Sequence, residues 1–196
     1  MTEVSSAKKA KYARFCVLFD AAERRIKQFE KLDFEPCLPA INQLRYAACH
    51  IKRSFETSGK AQNECIESAE RHCKRALKDV TEACIDYVVA WVADYERMFR
   101  FVPISEEIKE HHEIRVQLRK AFRFAASYNH DNIEDVTAQL EESMDIALSV
   151  FDIYEAARPE LNKRARIQRY KALGVLVIGS GLFMTLLQYL LQRILS

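Results

Sequence analysis

The carboxyl-terminal end of the chain constrains its fold more than any other part, because the sequence from Ala172 to Gln192 contains no charged side chain. As a helix rising about 1.5 Å per residue, this run would be roughly 30 Å long, which matches the hydrocarbon core of a bilayer. It predicts a transmembrane helix over residues 172–192 and a short tail over 193–196. The alternatives are a buried core helix of a soluble bundle and a hydrophobic oligomerisation helix.

The residues before this run form a basic collar, defined as residues 158–171, with six basic side chains and one acidic one, Glu160. Beyond the run there is only Arg193. Because basic residues beside a membrane helix stay on the cytoplasmic side, the sequence predicts a single-pass protein of the cytoplasmic (inner) membrane with its N-terminal domain in the cytoplasm. The amino terminus has no apolar signal sequence, so the chain is expected to be tail-anchored, with the collar on anionic lipid headgroups.

The preceding residues, 1–157, predict one all-α domain, an up-and-down helical bundle with one long helix. Four glycines and four prolines are too few for an all-β chain. Apolar residues at helical spacing predict helices over residues 6–31, 39–56, 60–102 and 105–128, a fifth capped by Asp131, and a sixth that begins at Pro159 and enters the membrane.

The third of these helices, over residues 60–102, would be roughly 60 Å long. A small monomeric bundle should not be able to cover a helix of this length. The sequence therefore predicts either a hidden break or packing against a second chain.

The cysteines and histidines give no sign of a cofactor or a metal site. The six cysteines include no CxxC pair, and most fall at helical core positions, where we expect them to act as small hydrophobes in a reducing compartment. No histidine lies three residues after a glutamate, as a di-iron bundle would need. The adjacent His111 and His112 point about 100° apart on a helix, so they are expected to lie on a solvated face rather than to bind one metal ion together. We expect neither a metal ion nor another cofactor.

Charge is unevenly distributed along the chain, whose net charge is +2. The collar and Arg193 carry the positive excess, which leaves about −4 on residues 1–157, so DNA is not an expected partner. Any contact with RNA must be local. The candidate RNA-binding residues are Arg53 and a row of basic residues opposite the apolar stripe of the long helix: Arg71, Lys74, Arg75 and Lys78. The alternative for this row is a solvated face with no ligand.

The second helix contains the pair Arg45 and His50. An inward stripe of Ile41, Leu44, Ala48, Ile51 and Phe55 would leave Arg45 and His50 on opposite margins of the outward face. Between them lie the candidate interface residues Asn42, Tyr46 and Cys49, together with Arg53. A tyrosine beside an arginine is typical of interface centres, so we expect a second copy of the chain to cover this face.

The Arg45-x4-His50 spacing resembles the signature of HEPN domains, a family of helical bundles that commonly dimerise around a composite site. The resemblance implies metal-independent cleavage of RNA, with His50 transferring protons and Arg45 stabilising charge on the phosphate. Active members usually carry a small polar residue after the arginine, whereas this chain has Tyr46. Membrane-tethered proteins of this kind resemble accessory or effector proteins of bacterial antiviral defence, including those paired with RNA-guided CRISPR effectors.

The apolar run also carries a polar stripe. Small and polar side chains recur along one side of the predicted helix at Gly174, Gly181, Thr185, Gln188 and Gln192. Small residues allow helices to approach closely, and an intramembrane glutamine needs a polar partner or water. The stripe predicts self-association around a polar path or, alternatively, local flexibility with two tolerated amides.

Three functions therefore remain open. The favoured one is a membrane-anchored, self-associating helical effector or accessory protein of antiviral defence that permeabilises the membrane. The second is a membrane-tethered HEPN-like ribonuclease acting at Arg45 and His50. The third is a non-catalytic, tail-anchored scaffold. All three predict a lipid bilayer as partner, and the first two also predict a dimer or higher homo-oligomer.

Overall fold

A computed structural model of the chain describes residues 2–33, 35–127 and 137–195, and excludes the side chains of residues 2–7 and of several residues after 176. Most of the described residues are helical and none of them forms a strand, which confirms the all-α bundle. The helices are α1 (Thr2–Asp33), α2 (Leu38–Glu56), α3 (Gly59–Met98), α4 (His111–Ser127) and α5 (Thr137–Leu195), and a 3-10 helix, Ile104–Glu106, precedes α4.

The long helix α3 is the centre of the bundle and has no break over its 40 residues. It packs against α1, α2, α4 and α5. Helix α1 follows α3 from Glu70, which pairs with Arg14, to Tyr87, whose hydroxyl donates to the Leu32 carbonyl at 3.3 Å. Helix α5 packs on the second half of α3, as where Trp91 contacts Phe151. The expectation that one chain cannot cover such a helix is therefore wrong, because the other four helices cover overlapping parts of its length.

Helix α2 is turned relative to its predicted orientation. Its buried residues include Ala47 and Ser54, whereas Ala48 and Phe55 of the predicted inward stripe are exposed. Adjacent helical residues point about 100° apart. The inward face, which contains Ala47 instead of the predicted Ala48, is therefore rotated by one residue from its predicted position. The buried Ser54 hydroxyl is satisfied by Tyr12 Oη at 2.8 Å and by the Ile51 carbonyl at 2.6 Å.

The predicted fifth and sixth helices are one continuous helix, α5, which runs through Pro159. Proline removes one backbone donor and disfavours a helix interior. Tyr154 and Leu161, on either side of Pro159, are both fully buried in the bundle core, and this packing holds the two segments on one axis. The predicted cap at Asp131 lies outside the described residues.

The histidine pair at the start of α4 is not a solvated face. His111 Nε2 lies 3.1 Å from Glu96 Oε1, and the buried Tyr154 hydroxyl donates to the same carboxylate at 3.0 Å. Only His112 is exposed. His111 therefore joins α4 to α3 and α5 at the core boundary.

All six cysteines are free thiols, and three of them, Cys37, Cys73 and Cys84, are buried. Burial raises the pKa of Cys73 and of Cys84 to about 12. These thiols are protonated at neutral pH and act as small apolar side chains. Cys16 and Cys49 are exposed, so the predicted core role fits only part of the set.

The far end of α5 projects away from the bundle. Ala165 is the last residue that packs on the core, and every later residue whose side chain is described is exposed. The helix continues for about 45 Å beyond Ala165. Among the described residues, no helix has the length and apolarity to span a membrane. Much of the predicted span over residues 172–192 falls on side chains outside that description.

Candidate functional site

Two histidines meet where α2 contacts the first half of α3. The imidazole rings of His50 and His72 stack with their centroids 5.2 Å apart and 20° between their planes. Tyr46 also packs on His72, with 5.5 Å between ring centroids and 46° between the ring planes. A hydrogen bond of 2.7 Å links His72 Nδ1 to Gln43 Oε1. These contacts hold His72 in one orientation beside His50.

The surroundings of this pair favour neutral imidazoles. Partial burial lowers the pKa of His50, and the positive charges of Arg53 and Arg71 lower it further. Burial also lowers the pKa of His72, together with His50, Arg75 and Arg71. Burial and nearby cations both disfavour the imidazolium. Both rings are therefore uncharged bases at neutral pH beside a group of arginines.

Arg45 does not join this group within one chain. Its guanidinium donates to Asn42 Oδ1 on the same helix at 3.4 Å, and the charges that shift the His50 pKa come from Arg53 and Arg71 instead. Positions 45 and 50 lie about 140° apart around a helix, which separates their side chains. Within one chain, the arginines close to His50 are therefore Arg53 and Arg71 rather than Arg45.

The predicted interface face is open in the single chain. Asn42, Cys49 and Arg53 are exposed, and Tyr46 keeps 55% of its surface in solvent although its ring touches His72. A large exposed aromatic beside arginines is typical of a binding surface. The face is therefore accessible to a partner, as the dimer hypothesis requires.

The basic row of α3 is not the continuous solvated face that the sequence predicted. Lys74 and Lys78 are buried, and Lys78 Nζ donates to Glu82 Oε1 at 2.7 Å. Arg71 is exposed and donates to Ser68 Oγ at 2.7 Å, whereas Arg75 is half-buried. Because helices pack on two sides of α3, only part of the row reaches solvent. Its binding of RNA stays a prediction.

The polar stripe of α5 lies on the projecting part of the helix. Gly174, Gly181, Thr185 and Gln188 are exposed, and the side chain of Gln192 is outside the described set. Thr185 Oγ1 donates back to the Gly181 carbonyl at 2.9 Å, which satisfies the hydroxyl within its own helix. A Cβ added at Gly174 or Gly181 would have no neighbour within 4 Å, so the glycine surface is open to another helix.

Sequence reasoning missed His72 and its partner Gln43. Neither residue belongs to a recognisable motif, and their contact depends on how α2 packs on α3. The one local signal is that His72 precedes the buried Cys73, which places it at the margin of the inward face. Among the described residues, no three ligand-type side chains converge as a metal site would need.

Comparisons with family models, curated protein sequences and solved structures give no match to this chain. The resemblance to HEPN domains stays a prediction that depends on Arg45 and His50.

Proposed function

We propose that this chain is a membrane-anchored helical protein that self-associates through its projecting helix and perturbs the bilayer. The observation that carries the proposal is the continuity of α5, which packs in the bundle up to Ala165 and then continues, exposed, into the uncharged run. A single helix thus connects the bundle rigidly to the predicted membrane segment.

The exposed apolar side chains of this segment support an apolar environment for it. Leu173, Val175 and Leu176 are largely exposed, with Leu176 at 71%. Burying one such side chain typically contributes about 1.5–3 kcal/mol of favourable free energy. The single chain does not obtain this contribution, because these side chains stay in solvent. A core helix of a soluble bundle would cover these positions, so that alternative fits poorly. A bilayer and a helix from a second copy remain as the two surroundings that fit.

Self-association rests on the polar stripe, whose members with described side chains are Gly174, Gly181, Thr185 and Gln188. Small residues allow two helix backbones to approach closely, and the glutamine amide needs a polar neighbour at membrane depth. Both needs are met if copies of α5 pack stripe to stripe. Such an assembly lines its centre with polar groups and provides a path for water or ions.

The anchor is tested by placing charges in the projecting segment. A lysine at the centre of a membrane helix costs about 2.5–3.5 kcal/mol, so Leu176→Lys combined with Met184→Lys should release the chain from membranes during alkaline extraction. Val17→Lys is the matched control, because Val17 is an exposed apolar residue of α1. The wild type and the control should stay in the membrane pellet.

The same fractions distinguish the oligomerisation helix. A wild-type chain that alkali extracts completely, yet forms large assemblies in buffer that the two lysines disperse, would overturn the anchor in favour of self-association alone. A monomeric wild type in mild detergent would instead contradict self-association and favour a simple tethered scaffold.

A second candidate function, RNA cleavage, is favoured by the stacked histidines and the arginines around them. A neutral imidazole can accept the proton of a ribose 2′-hydroxyl, and Arg53 or Arg71 can balance charge on the phosphate. His50→Ala and His72→Ala should each abolish cleavage of single-stranded RNA, while His112→Ala, at an exposed position, should not. Intact RNA after incubation with the wild type would contradict this candidate.

The link to antiviral defence and to RNA-guided effectors rests on the HEPN resemblance alone. The genes that neighbour this one would test it directly.

A further inference from the structure

The end of α3 forms an apolar and basic surface beside the point where α5 leaves the bundle. A cleft of about 720 Å³ lies between the turn after α3 and the collar. Its walls include three arginines and two large apolar side chains, and its edge is the first residue of the uncharged run: Arg97, Arg100, Arg169, Met98, Phe101 and Ala172. No acidic residue is among the described residues that line it.

The turn after α3 holds this surface in a fixed orientation. Phe99 and Val102 are buried in the core, and the Val102 amide donates to the Phe99 carbonyl at 2.8 Å. The two residues between them are directed outward. Phe101 is 74% exposed, and the Arg100 guanidinium lies 4.5 Å from its ring centroid. Because the buried Phe99 and Val102 fix the turn, the Phe101 ring stays exposed to solvent beside the Arg100 guanidinium. This arrangement suits an interface with both apolar and charged components.

Charge selects the partner of this surface. Arg97 is paired with Asp94 at 2.8 Å on its own helix, whereas Arg100 and Arg169 line a cleft that no described carboxylate lines. Arginine binds phosphate oxygens well, and methionine and phenylalanine insert among acyl chains just below them. Because Ala172 borders the cleft, a bilayer that receives the run beginning there places its headgroups at the cleft.

We infer that this cleft docks the bundle onto anionic phospholipid headgroups, so that the end of α3 is a second membrane contact besides α5. The inference rests on the proposed anchoring. It adds that the bundle lies against the bilayer with the α3 end down, that Phe101 enters the interface, and that Arg100 and Arg169 bind the headgroup phosphates. Each arginine on an anionic surface favours the docked state by about five-fold.

A tryptophan placed at the tip of the turn reports this docking. Full-length Phe101→Trp is reconstituted into vesicles of phosphatidylcholine alone or mixed with phosphatidylglycerol, with bromine on one lipid at a time. Brominated phosphatidylglycerol should quench the added fluorescence more strongly than brominated phosphatidylcholine. Phe55→Trp is the matched control, because Phe55 is equally exposed at the end of α2, and it should show no added quenching.

Charge reversal tests the role of the arginines. Arg100→Glu with Arg169→Glu, in the Phe101→Trp background, should remove the preference for brominated phosphatidylglycerol while the chain stays resistant to alkaline extraction. Lys60→Glu, at the opposite end of α3, should leave the preference intact.

The possible failures are distinct. A chain that resists extraction but shows no quenching from Phe101→Trp overturns the docking while the anchor stands. A chain that alkali releases fails at the proposed function itself. If RNA binds the wild type but not the Arg100→Glu, Arg169→Glu variant, and brominated lipids do not quench, the cleft is a nucleic-acid surface and the lipid assignment is wrong.

Discussion

His50 of α2 and His72 of α3 stack with 5.2 Å between ring centroids, and this contact joins the two helices on the face that carries the candidate RNA site. The pKa of each ring is lowered, first by burial and then by nearby positive charge. The pair therefore links the charge state of the candidate site to the packing of α2 on α3.

This link predicts how stability depends on pH. Because the folded chain binds protons at His50 and His72 less tightly than the unfolded chain, the free energy of unfolding falls as the pH drops through about 6.5. His72→Phe keeps an aromatic ring in contact with His50 and Tyr46 but removes one titrating group. Urea unfolding in detergent at about pH 7.5 and about pH 5.5 should show a smaller loss for this variant than for the wild type. His112→Phe, on an exposed face, should lose as much as the wild type, and equal losses in all three would contradict the prediction.

The pair of Arg25 and Asp145 should stabilise the contact between α1 and α5. Arg25 is buried, its Nη2 donates to Asp145 Oδ2 at 3.0 Å, and its Nη1 donates to Gln28 at 3.1 Å. Asp145→Ala leaves a buried guanidinium with fewer partners, and since the carboxylate is partly solvated we expect a loss of about 1.5 kcal/mol. Arg24→Ala removes an exposed pair with Glu141 and should cost about 0–1 kcal/mol. Thermal or urea unfolding measures both, and equal costs would contradict the role of burial.

The polar stripe of α5 should be needed for activity in the membrane rather than for insertion. Gly181→Leu adds bulk where two helices would approach, and Gln188→Leu removes an amide that needs a polar neighbour. Both variants should stay in the membrane fraction but lose dye leakage from vesicles. Leu190→Ala, outside the stripe, is the control and should leak like the wild type. Leakage by all variants alike would make α5 a passive tether.

The exposed face of α2 should be an interface between copies of the chain. Tyr46→Asp places a carboxylate in a patch that association would desolvate, at a cost of about 3 kcal/mol or more, roughly a hundred-fold in the dissociation constant. Mass measurement in detergent should show smaller assemblies for this variant. Val17→Asp, at an exposed apolar position of α1, should leave the mass unchanged. An unchanged mass for Tyr46→Asp would return Arg45 and His50 to ordinary surface positions.

Much of the helical architecture could be predicted from apolar periodicity and from the breakers between helices. The start of α2 near Pro39 and the end of α3 before Pro103 lie close to their predicted places. The course of α5 through Pro159 could not be predicted, because the local preference of proline opposes it, whereas the burial of Tyr154 and Leu161 on either side is a tertiary effect.

The candidate site was only half predicted. His50 was identified from its spacing to Arg45, but its neighbour in space is His72, 22 positions further along the chain. A spacing motif describes one helix, whereas this contact depends on the packing of two. Tertiary packing on α3 also buries Lys74 and Lys78, which the pattern of α3 placed in solvent.

The sequence by itself determined the helical class, the bounds of α2 and the uncharged run at the carboxyl terminus, because these depend on local propensity and on the spacing of apolar residues. It placed the start of the fourth helix at residue 105, whereas α4 begins at His111. Only the tertiary structure decided that α3 is covered within one chain, that α2 turns Ala47 inward, and that Phe101 stands beside the start of the uncharged run. The physical reason is that apolar periodicity determines the direction of the inward face only to within about 100°, the angle between adjacent residues. It contains no information about which helix will cover that face.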